Sequence, residues 1–410
     1  MYTSIALEIG YLGIGILISG VLGLIYYIVM AHYLNPKYFG IFSTFFFSIM
    51  IIGRFLSYGI KINIARRISA GEKINRVLVT ALLSSLIVLT FFIVGYFKMF
   101  DYISTILFDG NAQFSKLLVF GVIFFIPFML IEGVLQGKKH MKKIGLQKII
   151  GDLLKILSFF VVVHYKLDIL GVLVSVVAFI FIFSIVSFLF VFDDIRGITP
   201  PTIRFGCIKE FIGESLLISI IHGCVMFVFF GPPVVIKIMS GSFELTGMFA
   251  ATFTLLKTPV ILYEAVLISI LPNVSKASTE GDENKLLNYI KYSKIITIVV
   301  VLVFVVASTI FGTKIIEILY GEEYVMERVH IFLISLIISL YTFASLYNEI
   351  LIGMNRVKEA TVSWIVAFIP FVISLSLSID DVFKTEIAFI VYNLMVVIFL
   401  KYYLKMERRL

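Results

Sequence analysis

Apolar stretches of roughly 20 residues, each long enough to cross a hydrocarbon core of ~30 Å, recur about twelve times along this chain and constrain its fold more than any other feature. They fall at 9–33, 39–60, 77–97, 117–136, 147–165, 168–192, 211–238, 245–271, 294–311, 329–353, 359–379 and 386–404, the fifth interrupted by Asp152 and Lys155. Of the 410 residues, 60% are hydrophobic and 15% charged. A water-soluble chain could not hide that much apolar surface behind so few charges, whereas a bilayer accepts it. The first span is too long for a signal-peptide core and lacks a small-residue cleavage site, so it is expected to be retained. Connections are short, which leaves no room for a soluble domain. Cys207 and Cys224 make no disulfide framework. The expected fold is an all-α polytopic membrane protein.

Lys and Arg crowd into the connections after even-numbered spans (61–76, 138–148, 196–209, 276–294, 356–358) and into the tail at 401–409. The connections after odd-numbered spans hold few. This asymmetry predicts that both termini lie in the cytoplasm. The clusters "ARR" (65–67) and "KKHMKK" (138–143) set topology and attract anionic headgroups.

The chain also repeats itself. "FGIFSTFFF" at 39–47 returns as "TGMFAATFT" at 246–254, with Gly40 above Gly247, and "RISAGEKINRVL" at 67–78 echoes "KASTEGDENKLL" at 276–287. "ILFDG" at 106–110 faces "ILYGE" at 318–322, and "EGVLQGKKHMKK" at 132–143 returns as "NEILIGMNRVKE" at 348–359. Four matches in order predict two six-helix bundles, 1–205 and 206–410, of the same topology. Parallel halves related by an axis along the membrane normal are a transporter architecture, with the substrate path between them.

Two cations stand out because a charge inside a span is expensive. Arg54 lies in "FFFSIMIIGRFLSYGI", on one helical face with Ser43, Phe47, Met50, Tyr58 and Lys61. Lys257 lies in the equivalent span of the second half, at the repeat position of Met50, one turn from Arg54. If the halves face one another, both cations look across one cavity, a geometry suited to a lipid phosphate or pyrophosphate carrying a glycan. Arg can hold phosphate oxygens bidentately, and Lys acts as a point charge. The competing reading makes Arg54, about 21 Å of helix from Gly40 and so past the midplane, either half of an ion pair with Glu132 or a side chain reaching the cytoplasmic headgroups, and makes Lys257 the partner of Glu264. Glu214, His222 and Glu264 are candidates for ion coupling, His222 because its titration lies near working pH. Asp152 and Lys155 are spaced for a local pair. Gly15, Ser19 and Gly23 offer a small-residue face for a close helix neighbour.

Several segments together resemble the polysaccharide-exporter branch of the multidrug/oligosaccharidyl-lipid/polysaccharide (MOP) superfamily, the Wzx-type lipid-linked oligosaccharide flippases. They are the Gly-dotted first span "GYLGIGILISGVLGLIYYIVMAHYLNPKYFGIFS", "ARRISAG", "LPNVSKASTEGDENKLLNYIKY", "IIEILYGEEYVMERV" and "EILIGMNRVKEAT". The resemblance implies a V of two bundles, alternating access without nucleotide hydrolysis, and a cavity lined by the first, second, seventh and eighth spans. The implied protein is a multi-pass transporter of the cell (inner) membrane. It would move an anionic lipid-linked glycan among membrane lipids, with H⁺ or Na⁺ as coupling cation.

The alternative within the superfamily is a cation-coupled multidrug exporter. It is weakened because the mid-span acid of many such exporters is missing from the first span, and Glu214 lies near the end of the seventh. A basic cavity favours anions and an acidic one favours drug cations. No metal-ligand spacing, nucleophile constellation or phosphate-cradling loop points to an enzyme, and no cofactor is expected. Without a soluble basic face, nucleic acid is not implied.

Overall fold

The computed structural model describes the backbone of residues 2–196, 204–279, 283–354 and 356–406. Side chains are described there except at 2–9, 195, 261–262, 264–273, 275–279, 283 and 405–406. Among the described residues the regular structure is entirely helical. In chain order it runs α1 (Tyr2–Tyr33), α2 (Pro36–Ser69), α3 (Ile74–Lys98), α4 (Phe100–Phe108), α5 (Ala112–Gly137), α6 (Met141–His164), α7 (Ile169–Leu189) and α8 (Phe192–Ile195). It continues with α9 (Phe205–Ser240), α10 (Phe243–Thr279), α11 (Glu283–Tyr320), a 3₁₀ turn at Glu322–Tyr324, α12 (Arg328–Gly353), α13 (Val357–Val366), α14 (Phe368–Ser374) and α15 (Asp381–Met406).

Among the described residues ten segments, with α13 and α14 taken as one, are long and apolar enough to cross a membrane. The fifth and eighth of the expected spans, α6 and α10, are also helices of crossing length. Helix is the form a lipid-embedded segment must take, because it pairs its own backbone groups. α2, α9 and α10 run well past their apolar windows, since the polar residues at their ends continue the helix. Short side chains start several of them. The Asn35 carboxamide oxygen accepts from the Tyr38 N–H at 3.0 Å, with Pro36 at the first helical position. Asp168 accepts from Gly171 N–H at 2.9 Å to open α7. Gly241, at φ 67°, ends α9.

Packing follows the small residues. A Cβ on Gly15 would lie 2.5 Å from the Gly145 Cα, so α1 and α6 touch backbone to backbone, as the small-residue face predicts. The closest crossing is between α2 and α10. A Cβ on Gly40 would fall 1.8 Å from the Phe243 carbonyl oxygen, and one on Gly247 1.9 Å from the Pro36 carbonyl oxygen. The contact is reciprocal: the repeat pairs Gly40 with Gly247, and the same offset carries Pro36 onto Phe243. Equivalent residues therefore meet each other, as they do on a two-fold axis.

Two further contacts close that end of the molecule. The Tyr324 hydroxyl donates to the carbonyls of Ala31 (2.9 Å) and Leu34 (2.5 Å). Lys237, its side chain fully buried, binds Asp109 at 2.6 Å and lies 3.7 Å from the Phe243 ring centroid. At the opposite end α2 and α9 stay joined, through Asn63 to the Phe211 carbonyl (3.1 Å) and Gly59 N–H to the Ser219 hydroxyl (3.2 Å). α1 stays on α6, but its other face is not covered along its whole length. Tyr26, Met30, Ala31 and Leu34 are buried, whereas Tyr11, Ile14, Leu17, Val21 and Ile25 are exposed. One seam, α2 on α9, is thus continuous, whereas α1, held to α6 at Gly15, buries its other face only toward the Pro36 end.

Candidate functional site

The first half encloses a polar cavity of about 120 Å³ among α1, α2, α5, α6 and α7, room for about four waters or one phosphate-sized group. Ser19, Met50, Arg54, Lys148, Asp152 and Lys155 line it, with Phe125, Phe128, Phe179 and Phe183 as its apolar wall. Gly53 lets the Phe125 ring sit against α2, since a Cβ there would lie 2.7 Å from Phe125 Cδ1. The next residue, Arg54, is thereby aimed past the aromatic wall.

The carboxylates around this cavity are already engaged. Asp152 pairs with Lys155 at 2.5 Å and accepts from the Ser19 hydroxyl. Glu132, buried at the neighbouring turn of α5, pairs with Lys61 at 3.0 Å and Lys148 at 3.4 Å. Four cations thus face two carboxylates. The local Asp152–Lys155 pair is as the spacing predicts, but Glu132 takes Lys61 and Lys148 in place of Arg54. Among the described residues Arg54 has no ion-pair partner, and its buried Nε makes no hydrogen bond. A half-buried guanidinium whose buried Nε–H is unused is a ready anion site.

Lys257 sits elsewhere. Its ammonium lies 4.7, 4.9, 4.3 and 5.6 Å from the ring centroids of Phe47, Phe229, Phe230 and Phe253, and 3.3 Å from the Phe229 carbonyl oxygen. Cation–π attraction replaces water around it. It also lines a cavity of about 10 Å³ in the second half, with Val228, Val260, Ile337 and Tyr341. In this conformation Arg54 and Lys257 therefore line different cavities, one among α1, α2, α5, α6 and α7 and the other among α9, α10 and α12.

The remaining candidates divide. Glu214 is clamped at the end of α2 by Arg66 (2.7 Å) and Arg67 (2.9 Å), with Arg67 also 3.6 Å from Glu210 and Glu72. This is an inter-helix bolt joining α9 to α2. His222 stacks on Tyr58, ring centroids 3.3 Å apart and planes 9° from parallel, and its buried Nε2 makes no hydrogen bond. Glu264 lies on α10 where side chains are outside the described residues. Asn348, the repeat partner of Glu132, accepts from the indole N–H of the fully buried Trp364 at 3.0 Å, a packing role.

Two features were not singled out from sequence. Lys148 belongs to the cavity, although it sits at the edge of a basic connection that reads as topology. Glu386 is fully buried on α15, with both carboxylate oxygens 3.0 Å from His330 Nδ1 on α12. The signal for it was an acid at the start of an apolar span, but its partner lies 56 residues away.

The profile of a family described as "Polysaccharide biosynthesis protein" matches residues 5–278. No curated protein matches the chain as a relative. Among solved structures, the fold is similar to the inward-facing conformation of a multidrug resistance MATE family transporter of the MOP superfamily. The TM-score is 0.72 and the identity 14%, with 98% of this chain and 94% of the other covered. An outward-facing conformation of such a transporter gives a TM-score of 0.68 at 17% identity, covering 98% and 95%. A MOP superfamily transporter from Pyrococcus furiosus, described as having a binding pocket of reverse polarity that suggests a different function, gives 0.66 at 15% identity, covering 97% and 95%. At these identities the likeness is one of fold, while the family follows from the profile: the chain belongs to the polysaccharide biosynthesis protein family and is a multi-pass membrane protein with a MATE-like fold.

Proposed function

We propose that this transporter flips an anionic lipid-linked glycan from the cytoplasmic to the outer leaflet of the cell membrane by alternating access. The observation that carries the reading is Arg54, an unpaired cation in a cavity where positive charge exceeds negative. Bidentate guanidinium–phosphate bonding suits the phosphate or pyrophosphate of such a lipid. Lys257, held in its ring of phenylalanines, is the second cation of the path. It supplies charge when the halves rearrange and the cage opens. The reverse-polarity pocket described for the Pyrococcus furiosus transporter supports the idea that pocket charge, rather than fold, separates substrates within this superfamily.

The distribution of Lys and Arg puts the Arg67–Glu214 end in the cytoplasm and the Gly40–Gly247 crossing outside. On that orientation the described conformation is closed outward, with the exposed face of α1 toward the cytoplasmic side. The two bundles, 1–205 and 206–410, would rock about the α2–α9 seam. A cation gradient is the drive this scheme needs, with His222 and Glu264 as candidates for the coupling group. Glu214 is better suited to holding α9 on α2.

Equilibrium binding to the purified protein tests the reading. A polyprenyl pyrophosphate-linked disaccharide should bind, and Arg54→Gln should weaken it at least tenfold while ethidium, a cationic dye, fails to compete. Tight dye binding that survives Arg54→Gln, with no glycolipid binding, would make the chain a multidrug exporter instead.

A further inference from the structure

One buried charge pair has no part in the path described so far. Glu386, in the second turn of α15, is fully buried, and its two carboxylate oxygens each lie 3.0 Å from Nδ1 of His330, in the first turn of α12. Among the described residues that imidazole is its one hydrogen-bond partner. The Phe383 ring, its centroid 4.7 Å from that of His330, covers the imidazole.

Charge decides how many protons the pair holds. With one exchangeable proton it is neutral as a whole, whether as imidazolium and carboxylate or as imidazole and carboxylic acid. With none, a fully buried carboxylate faces a neutral ring, and a low-dielectric site resists such a charge. The surroundings offer no substitute cation. Glu327, ahead of α12, and Asp380, ahead of α15, act on His330, and both are negative. Lys384 is taken by Asp381 at 2.8 Å, and Arg328 is exposed. On the neighbouring elements Lys314 and Glu317 of α11 pair with each other, and Lys237 of α9 is held by Asp109. Glu244 of α10 and Glu322 and Glu323 of the 3₁₀ turn are acidic, α14 carries no charge, and the charges of α13 lie in its first turn, at the opposite end.

The pair stands at the root of the lock on the Pro36 end. Only residues 325–329 separate Tyr324 from His330. The Glu327 carbonyl accepts from the N–H groups of His330 (3.0 Å) and Ile331 (3.4 Å), which builds this connection into the first turn of α12. Its other end is fixed by Tyr324, buried, with its hydroxyl on Ala31 and Leu34 and its ring edge-on to Phe39, centroids 5.6 Å apart. A shift of α12 against α15 is therefore passed through a few residues to the tyrosine that ties the second half to α1.

We propose that His330 and Glu386 form a proton-binding site that sets the closure of the Pro36 end. With the shared proton bound, α12 and α15 stay together and Tyr324 keeps its two carbonyls. When the proton leaves, the buried carboxylate draws in water, the helices part at this end and the tyrosine is released. On the orientation given above this end faces outward, so the proton comes from the outer solution. The site is separate from His222 and Glu264, and it works whatever substrate is carried.

The test is a spin-label distance measurement on the full-length protein in nanodiscs. The labels are at Gln113 on α5 and Ser378 between α14 and α15, both exposed, in a background without Cys207 and Cys224. The pH runs from about 5 to 9, bracketing the range in which histidine changes charge. The short distance should dominate at the acid end, and a longer-distance population should rise at least threefold toward the alkaline end. Glu386→Gln, whose amide stays neutral, should hold the short distance throughout. His330→Gln, which removes one of the two groups sharing the proton, should displace the transition by about one pH unit or more. His222→Gln should leave it in place. A wild-type distribution indifferent to pH makes the pair a structural clip and overturns the proposal. So does a transition that survives Glu386→Gln or is lost in His222→Gln. If Glu386→Gln does not assemble, His330→Gln decides, and an undisplaced transition overturns the proposal equally. No glycolipid enters the assay, so failure here leaves the flippase reading standing.

Discussion

Arg54 follows a glycine, on a helix whose earlier turns present Phe39, Phe42, Phe45, Phe46 and Phe47, all buried. The charge is therefore placed where the bundle changes from aromatic packing to a polar chamber. Replacing it with glutamine should reduce glycolipid affinity at least tenfold and leave the apparent melting temperature within a degree or two. One charge-assisted hydrogen bond is worth ~1.5–3 kcal/mol, and Arg54 makes no ion pair whose loss would unfold the protein. Arg54→Lys should recover part of the affinity. Glu132 is the opposite case. Glu132→Gln leaves the buried Lys61 and the half-buried Lys148 without a counter-charge, so it should destabilise the fold by up to ~3–5 kcal/mol. Thermal unfolding in detergent would check this, and an unchanged melting temperature would mean the trio contributes little. Both cations of the site were legible in the sequence because charge inside an apolar run is conspicuous. Their compartments were not. A helical wheel names the face a residue occupies but not the neighbour opposite it, so Arg54 and Lys257 looked like one pair and line two cavities.

The elements were more legible than their contacts. Apolar length announced the spans, and Gly15, Ser19 and Gly23 announced a close partner for α1, which is α6. The break of the eleventh span into α13 and α14 was not visible, nor was α4, because the sequence around Phe100 carries no Pro or Gly to punctuate it. The Gly40–Gly247 alignment showed an internal repeat. That the two glycines touch each other needed the structure. Their crossing leaves no space for a side chain, so Gly247→Leu should force α2 and α10 apart at that end. Spin labels at Lys37 and Glu244, both exposed, in a background without Cys207 and Cys224, would report it. The distance distribution should lengthen by several ångströms. An unaltered distribution would mean that the crossing is not what closes this end. Tyr324→Phe removes the hydroxyl that bridges Ala31 and Leu34, and should broaden the same distribution more modestly, since each such bond contributes ~1 kcal/mol.

At the scale of the whole molecule, the described conformation has one continuous seam, α2 on α9, and one face of α1, away from α6, that is buried only toward the Pro36 end. Rocking about the first while the second opens and closes is the motion this asymmetry allows. The lock at the Pro36 end is built from small surfaces: a glycine crossing, the Lys237–Asp109 pair and one tyrosine. Such contacts can be exchanged without unpacking either core. The account's central claim is that Arg54 receives an anionic lipid on this path, and translocation tests it most directly. Purified protein in proteoliposomes, under an imposed proton or sodium gradient, would be given a fluorescent pyrophosphate-linked glycolipid in one set of vesicles and a cationic dye in another. The account predicts gradient-dependent glycolipid movement that falls at least tenfold in Arg54→Gln, and no dye movement. Dye transport without glycolipid movement, unaffected by Arg54→Gln, would contradict it.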